Sequence, residues 1–282
     1  MNYLIQKFKS FFNKTKTFND LDLEKEYKKN GYVVLNLLNE NEIEQCLKIY
    51  QITDSNVSKE KYNTLEINEE NHRQFISDEL AKIIAAPILK NLREYKIFGY
   101  NFAIKKAKTK IKFDAHLDDE HADESKYECV NVWIPLVDVN EKNGALYLIK
   151  GSHKLNHPPR GIGLPFAYEK SLKFIEEAST PISLKAGQAI FFSPRMIHGS
   201  GFNKTDYDRP AIIVGLAPQN APLYVLMTHD KIEHSFYEKF EIDERFFHKV
   251  QIGKRPDFSK SLGVYKYERK DFNEKTIKTL LK

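Results

Sequence analysis

Up to Tyr95 the apolar positions recur mostly at helical spacing; beyond it they gather into short runs with the texture of strands. Leu4, Ile5, Phe8, Phe11 and Phe12 share one helical face, with Lys7, Lys9, Lys14 and Lys16 elsewhere. "DLDLEKEYKKN" (20–30) predicts a short helix closed by Gly31, and "YVVLNLL" (32–38) a strand. "NENEIEQCLKIY" places Ile43, Cys46, Leu47 and Tyr50 on one stripe and predicts a second helix. Residues 51–70 are polar and irregular in pattern. "SDELAKIIAAPILKNLREY" predicts a third helix, capped by Ser77 and interrupted or kinked at Pro87.

The strand-like runs that follow are "KIFGYNFAIKK", "YECVNVWIPLVDV", "GALYLIK", "TPISLK", "QAIFFS" and "RPAIIVGLAP", separated by turn chemistry in "NEKNG", "KAG", "SPR" and "NKTDYD". Pro135 inside "NVWIPLV" predicts a bulge or an edge position. Helices first and many short strands afterwards describe a β-sandwich or barrel with helices packed outside, in one domain over 1–282. No internal repeat or low-complexity linker interrupts it.

Composition narrows the class. With 41% apolar residues, including 19 Phe and 15 Tyr, the chain can bury a sizeable core. Cys46 and Cys129 make no C-x-x-C pair, which fits buried thiols in a reducing, cytoplasmic setting. The longest apolar runs, "IIAAPIL" (83–89) and "AIIVGLA" (211–217), are far too short to span a bilayer. The N-terminus lacks the continuous apolar core of a secretory signal. Its basic amphipathic helix is expected to dock on its own domain, with peripheral membrane contact through residues 1–16 as the alternative. The net charge of +5, from 44 basic and 39 acidic residues, comes with no nucleic-acid-binding pattern. In "KKAKTKIK" (105–112), Lys106, Lys108, Lys110 and Lys112 would share one face of an extended strand, either as a solvated edge or as a guide for an anionic substrate.

The chemistry concentrates in "KFDAHLDDEH" (112–121), two histidines and four acids in ten positions. In a strand His116 and Asp118 point to one side, so an imidazole and a carboxylate can converge on one atom. His198, in "FFSPRMIHGSGFNKTDYDRP", is the best third ligand, because it follows a strand and a turn and precedes small residues that leave room for a ligand. Two histidines and a carboxylate form the facial triad of non-haem Fe(II) oxygenases, although the same set could serve a hydrolytic zinc centre. Arg209 separates these readings. An antiparallel return strand after "NKTDYD" would bring its guanidinium back toward the metal to grip a carboxylate, and Ser200, on the same face as His198, could donate to the same group. A dicarboxylic co-substrate needs that pair; a zinc hydrolase has no evident use for it.

With "HLD", "NVWIPLVDVNEKNGALYLIKGSHK" and "HGSGFNKTDYDRPA" in this order, and "KKNGYVVLNLLNENEI" near the start, the chain resembles the phytanoyl-CoA dioxygenase family of Fe(II)- and 2-oxoglutarate-dependent oxygenases. The resemblance covers most of residues 24–217 and implies a mainly β fold. That fold is a double-stranded β-helix (jelly roll, cupin-like) over 96–217, flanked by N-terminal α-helices in 1–95 and followed by an extension, 218–282, that matches nothing. It implies iron on His116, Asp118 and His198, 2-oxoglutarate on Arg209 and Ser200, Trp133 near that co-substrate, and dioxygen as the second co-substrate. Hydroxylation of an aliphatic carbon, with succinate and carbon dioxide as co-products, is the implied activity; a metal-binding β-helix protein without turnover is the alternative. Asp118 stands where related halogenases have a small residue, which favours hydroxylation. Lys150 replaces the family's usual proline before "GSH".

Other residues carry plainer expectations. His121 reads as a solvated loop histidine, His153 as a structural hydrogen-bonder, and "HGSG" as no serine-nucleophile turn. His229, His234 and His248 show no partner pattern. The substrate is expected to be a small molecule or lipid-linked, with an anionic one favoured by the lysines, in a pocket walled by residues 53–75, 119–127 and 154–178.

Overall fold

The computed structural model describes residues 16–54, 59–229, 234–256 and 258–280, so the apolar stripe from Leu4 to Phe12 lies outside the described residues. Helix α1 (Leu21–Asn30) starts where Asp20 accepts from the amides of Asp22 and Leu23, and stops at Gly31. Gly31 has φ +87°, and a Cβ there would strike the Met196 sulfur and the His153 ring, so the position needs glycine twice over. Strand β1 (Tyr32–Asn36) follows, then α2 (Glu40–Asp54), which runs beyond its expected end because Thr53 is buried with its hydroxyl on the Ile49 carbonyl. The stretch expected to be irregular also holds β2 (Lys61–Asn63) and a single 3-10 turn (Thr64–Glu66).

Helix α3 (Glu70–Leu89) begins seven residues before the expected Ser77 cap. Ser77 lies instead on its buried face, with Oγ 2.6 Å from His248 Nε2. The helix continues through Pro87, which falls in its last turn, where few hydrogen bonds remain to be lost.

The β region comprises β3 (Tyr95–Lys105), β4 (Phe113–His116), β5 (Val130–Pro135), β6 (Leu146–Leu148), β7 (Gln188–Phe192), β8 (His198–Ser200) and β9 (Arg209–Pro218). Six strands pair antiparallel in the order β1-β7-β5-β9-β3-β2, and β4-β8-β6 form a smaller sheet that faces them across the interior, giving the double-stranded β-helix. Pro135 is at neither an edge nor a bulge. It ends the central strand β5 two residues past the last β7 pair, Trp133 with Ile190, where its missing N–H leaves no bond unmade. "TPISLK" forms only isolated bridges, Pro181 with Tyr147 and Leu184 with Val139.

Strand alternation divides the large sheet's two faces. Ile104, Val132, Ile134, Ile212, Val214 and Leu216 pack on the face carrying α1, α2 and α3, while Asn101, Asn131, Trp133, Arg209 and Ile213 face the interior. Because both faces are covered, these strands read as continuous apolar runs with a few polar interruptions. Short helix α4 (Leu172–Ala178) covers the outside of the small sheet.

The extension that matched no pattern is folded as well. Strands β10 (Leu223–Thr228), β11 (Phe236–Ile242) and β12 (Ser261–Lys266) make a third antiparallel sheet, with α5 (Phe246–Lys249) between β11 and β12 and α6 (Glu274–Leu280) after them. Arg73 of α3 anchors this segment. Its guanidinium donates to the carbonyls of His248 and Lys249 on one side and of Ile67 and Asn68 on the other.

The lysine run is not a strand, since β3 ends at Lys105. Lys106 pairs with Asp54 and Asp208, Lys108 with Asp206, and Lys112 with Glu176, so three of the four expected to form a free basic face are paired with acids. Both cysteines are buried, and neither is in a disulfide. Among the described residues, no helix is long and apolar enough to cross a membrane.

Two predictions follow from this packing. Arg73→Leu removes the buried guanidinium that ties four part-buried carbonyls together, and should lower unfolding free energy by about 2–4 kcal/mol in urea denaturation. His153 donates through Nε2 to the Lys28 carbonyl, and burial holds it down to about 4 from the ordinary 6.5; burial pushes His157 further down. The unfolded chain therefore binds protons that the native state refuses, so stability is lost as pH falls from 6.5 toward 4. The urea midpoint should drop across that window, and less steeply in His153→Gln.

Candidate metal and co-substrate site

Antiparallel pairing of β4 with β8 sets His116 directly opposite His198, with ring centroids 4.2 Å apart. Each ring's Nδ1 lies close to the carbonyl two residues before it, His116 to Asp114 at 2.8 Å and His198 to Met196 at 2.9 Å. A carbonyl can only accept, so both Nδ1 atoms carry the proton and both Nε2 lone pairs are free to bind a metal. Asp118 completes the group, its Oδ1 3.6 Å from each Nε2.

Strand β4 stops at His116, so strand geometry alone does not place Asp118. The loop is pinned instead. The Asp118 amide donates to the Pro194 carbonyl, its own carbonyl accepts from Arg160 Nε at 2.8 Å, and its Oδ2 accepts from Asn131 Nδ2 at 2.6 Å. Burial raises the Asp118 carboxyl, but His198, His116, the Asn131 hydrogen bond and Arg160 outweigh it and leave it below the ordinary range. Burial pushes His198 down to about 4, which keeps the imidazole neutral. All three donor atoms lie within 4.8 Å of one another. Two imidazoles with their Nε2 atoms turned inward and one carboxylate, converging from one side and held from behind, fit a divalent metal with open positions.

Arg209 opens β9 on the large sheet, not on a hairpin partner of β8 as the return-strand reading expected. The chain crosses from the small sheet to the large one between Ser200 and Arg209, and the guanidinium reaches the cavity from the opposite wall. It is fully buried, donates through one nitrogen to the Ala103 carbonyl, lies 5.6 Å from the Trp133 ring and leaves Nε without a partner. Burial lowers its pKa to about 9. Behind it Lys105, also buried, donates from Nζ to the Ser200 carbonyl at 2.8 Å and to the Gly201 carbonyl. Burial, Arg209 and Lys61 push Lys105 down to about 6. A corner holding a buried guanidinium with an orphaned nitrogen, and behind it a lysine that a bound anion would return to its charged form, fits an anionic carboxylate.

Ser200 and Trp133 line the same cavity. Gly199 does not make room for a ligand: a Cβ there would meet the Tyr147 hydroxyl on the far face of β8.

The cavity measures about 340 Å3 and runs from Arg209 past the triad to Phe98. A register shift between Ile97 and Gly99 makes Phe98 an extra residue in β3 and turns its ring into the cavity, where Gly99 and Gly215 face each other across the strands. His121 is a loop residue, as expected, but it is half-buried and not freely solvated. Its ring sits 5.0 Å from Phe98 and 5.4 Å from Phe247, and burial lowers its pKa to about 4. Asp119 also lines the cavity, pushed up to about 7 by burial and by Asp118. Of the expected walls, 53–75 contributes Asn63 and Leu65 and 119–127 contributes Asp119 and His121, but 154–178 contributes none. Phe247 and Ile252 of the C-terminal segment stand in its place.

Four residues were missed in the sequence. Asn131 was legible, as the polar member two before Trp133 in an otherwise apolar strand. Arg160, Lys105 and Phe247 carry no local signal, because their importance comes from segments distant in the chain.

A sequence profile described as Phytanoyl-CoA dioxygenase (PhyH) matches residues 27–211, well over half of the chain. Among curated proteins, the dioxygenase FUM3 of Gibberella moniliformis is 30% identical over 102 residues, which cover 34% of this chain and 30% of that protein. A probable phytanoyl-CoA dioxygenase of Caenorhabditis elegans is 31% identical over 105 residues, covering 33% of this chain and 32% of the relative. The matched part thus spans about a third of each curated relative. Among solved structures, HygX from Streptomyces hygroscopicus with nickel and 2-oxoglutarate bound superposes with a TM-score of 0.55 at 12% identity, over 71% of this chain and 88% of that one. The non-heme alpha ketoglutarate dependent carbocyclase SnoK from nogalamycin biosynthesis gives a TM-score of 0.52 at 17% identity, over 72% and 86%. Both likenesses agree with the β-helix described above, and with the profile match across most of that β-helix, the chain belongs to the phytanoyl-CoA dioxygenase (PhyH) family.

Proposed function

We propose that this protein is an Fe(II)- and 2-oxoglutarate-dependent dioxygenase that hydroxylates an aliphatic carbon of a small molecule. The observation that carries the reading is the buried Arg209 guanidinium, its Nε unpartnered, in the same cavity as three converging metal-ligand atoms. A zinc hydrolase would have no use for that corner.

In this reading His116, His198 and Asp118 hold the iron, and the two Nδ1–H bonds fix which ring atoms face it. Asn131 and Arg160 keep Asp118 from turning away. Arg209 receives the far carboxylate of 2-oxoglutarate beside Trp133, while Lys105 fixes the end of β8 that carries Ser200 and adds positive charge behind it. Bound iron, with 2-oxoglutarate and dioxygen, supplies the oxidising power for hydroxylation, and succinate and carbon dioxide are the co-products. The apolar walls around the triad exclude water while the substrate carbon is held beside the metal.

Anaerobic titration of the iron-loaded protein with 2-oxoglutarate should give a saturable visible charge-transfer band. Asp118→Ala should lose the band with the metal, and Arg209→Met should weaken co-substrate binding by about 2–5 kcal/mol. Iron binding with no band in the unaltered protein would reject the oxygenase reading and leave a metal-binding β-helix protein. Lys105 supplies a separate check. Without a bound anion its pKa is about 6, and a carboxylate nearby favours the charged form, so binding takes up a proton above pH 6. The 2-oxoglutarate affinity should therefore fall between pH 6 and pH 8, and Lys105→Met should bind more weakly with a flatter profile; an unchanged profile would remove Lys105 from the co-substrate site.

A further inference from the structure

The two ends of the cavity have opposite chemistry. Arg209 stands at one end of β9, and Gly215, six residues on, is about 20 Å away by strand geometry. Phe98 lies against Gly215, His121 packs against Phe98 and Phe247, and Asp119, two residues before His121, lines the same cavity. The Asp119 carboxylate borders the cavity and accepts no hydrogen bond from any described residue. The nearby cation is Arg160, and it is engaged elsewhere: its two terminal nitrogens go to Glu124, and its Nε goes to the Asp118 carbonyl. Glu120, the next acid along, takes the Tyr224 hydroxyl. Asp119 is therefore the acid of this loop left facing the cavity. His121 holds its Nδ1 3.2 Å from the Tyr224 carbonyl, so that nitrogen carries the proton and Nε2 is an acceptor, on a ring that also borders the cavity. Asp119 and His121 thus present acceptors, while Phe98, Phe247 and Ile252 present an apolar surface.

We propose that this end of the cavity takes a small substrate with an apolar carbon body and a protonated amine, the amine donating to Asp119 with His121 Nε2 as second acceptor, and the carbon body lying against Phe98, Phe247 and Ile252. The assignment rests on the oxygenase reading for the chemistry performed, not for the binding. An ammonium offers only donors and complements a wall of acceptors, whereas a carboxylate offers only acceptors of its own. Two of the three apolar contacts come from the C-terminal segment, beyond the family match at 27–211, so the wall for the carbon body is built largely outside the shared β-helix, while the two acceptors lie within the match.

The test uses the full chain loaded with Mn(II), which does not turn over, with the fluorescence of Trp133, the single tryptophan and a cavity residue, as the signal. The probes are n-hexylamine, n-hexanol and n-hexanoate, with N-oxalylglycine titrated separately as the co-substrate analogue. The amine should bind at least about 10-fold more tightly than the alcohol or the acid. Asp119→Asn should erase that preference while N-oxalylglycine still binds, and Phe247→Ala should weaken all three hexyl probes together. Hexanol or hexanoate binding as tightly as hexylamine would overturn the proposal, and the unaltered protein alone decides that point if a variant fails to fold. A preference that survives Asp119→Asn would overturn it too. Failure of N-oxalylglycine to bind, with the amine preference intact, would count against the oxygenase reading and leave the amine site standing.

Discussion

The site depends on positive charge buried between two sheets. Arg209 and Lys105 sit in the dry interior, and the bonds they make there are to carbonyls: Ala103 for the first, Ser200 and Gly201 for the second. Leaving a buried cation without a counter-charge costs several kcal/mol, and Lys105, held down to about 6, sheds its proton near neutral pH until an anion is there to keep it. A chain that keeps both is strained toward accepting an anion. The depressed pKa values of both residues, set first by burial, express the same strain.

The strand period distributes these groups. Every second residue of β3, β5 and β9 faces the helices and is apolar, which holds the large sheet rigidly against α1, α2 and α3. The alternate residues are free to be polar, and they supply Asn101, Asn131, Trp133 and Arg209 to the cavity. The small sheet contributes the two histidines from adjacent strands, with their separation set by cross-strand pairing and not by a flexible loop. Only the carboxylate comes from a loop, and that loop is tied down by three hydrogen bonds, to Pro194, Arg160 and Asn131. Rigid placement of two ligands and a braced third is what a facial metal site requires.

How much of this was legible follows from where each signal resides. Gly31, the early helices and the main strands are local patterns, and the sequence shows them. His116, Asp118, His198 and Arg209 stand out because their types are unusual within apolar or turn segments. The errors arose wherever a tertiary contact overrides a local preference: Ser77 resembles a cap yet bonds to His248 from inside a helix, and His121, though on a loop, packs against two phenylalanines instead of standing in solvent. The lysine run misleads for a similar reason, since its acidic partners Asp54, Asp208 and Glu176 are far away in the chain. Arg209 reaches the cavity, but by a crossing between sheets that no local pattern announces.

The C-terminal segment shows how a shared scaffold acquires its own selectivity. Its main-chain carbonyls at His248 and Lys249 are gripped by Arg73, the Ile252 amide donates to the Leu65 carbonyl, and Gln251 donates to the Glu66 carbonyl. These bonds seat Phe247 and Ile252 against the cavity without using any residue of the metal group. The segment can therefore change in sequence, and with it this wall of the cavity, while the histidines, the carboxylate and the buried arginine keep their geometry. The apolar wall and the metal group are thus held by different parts of the chain, the wall by Arg73 of α3 and by the bonds to Leu65 and Glu66.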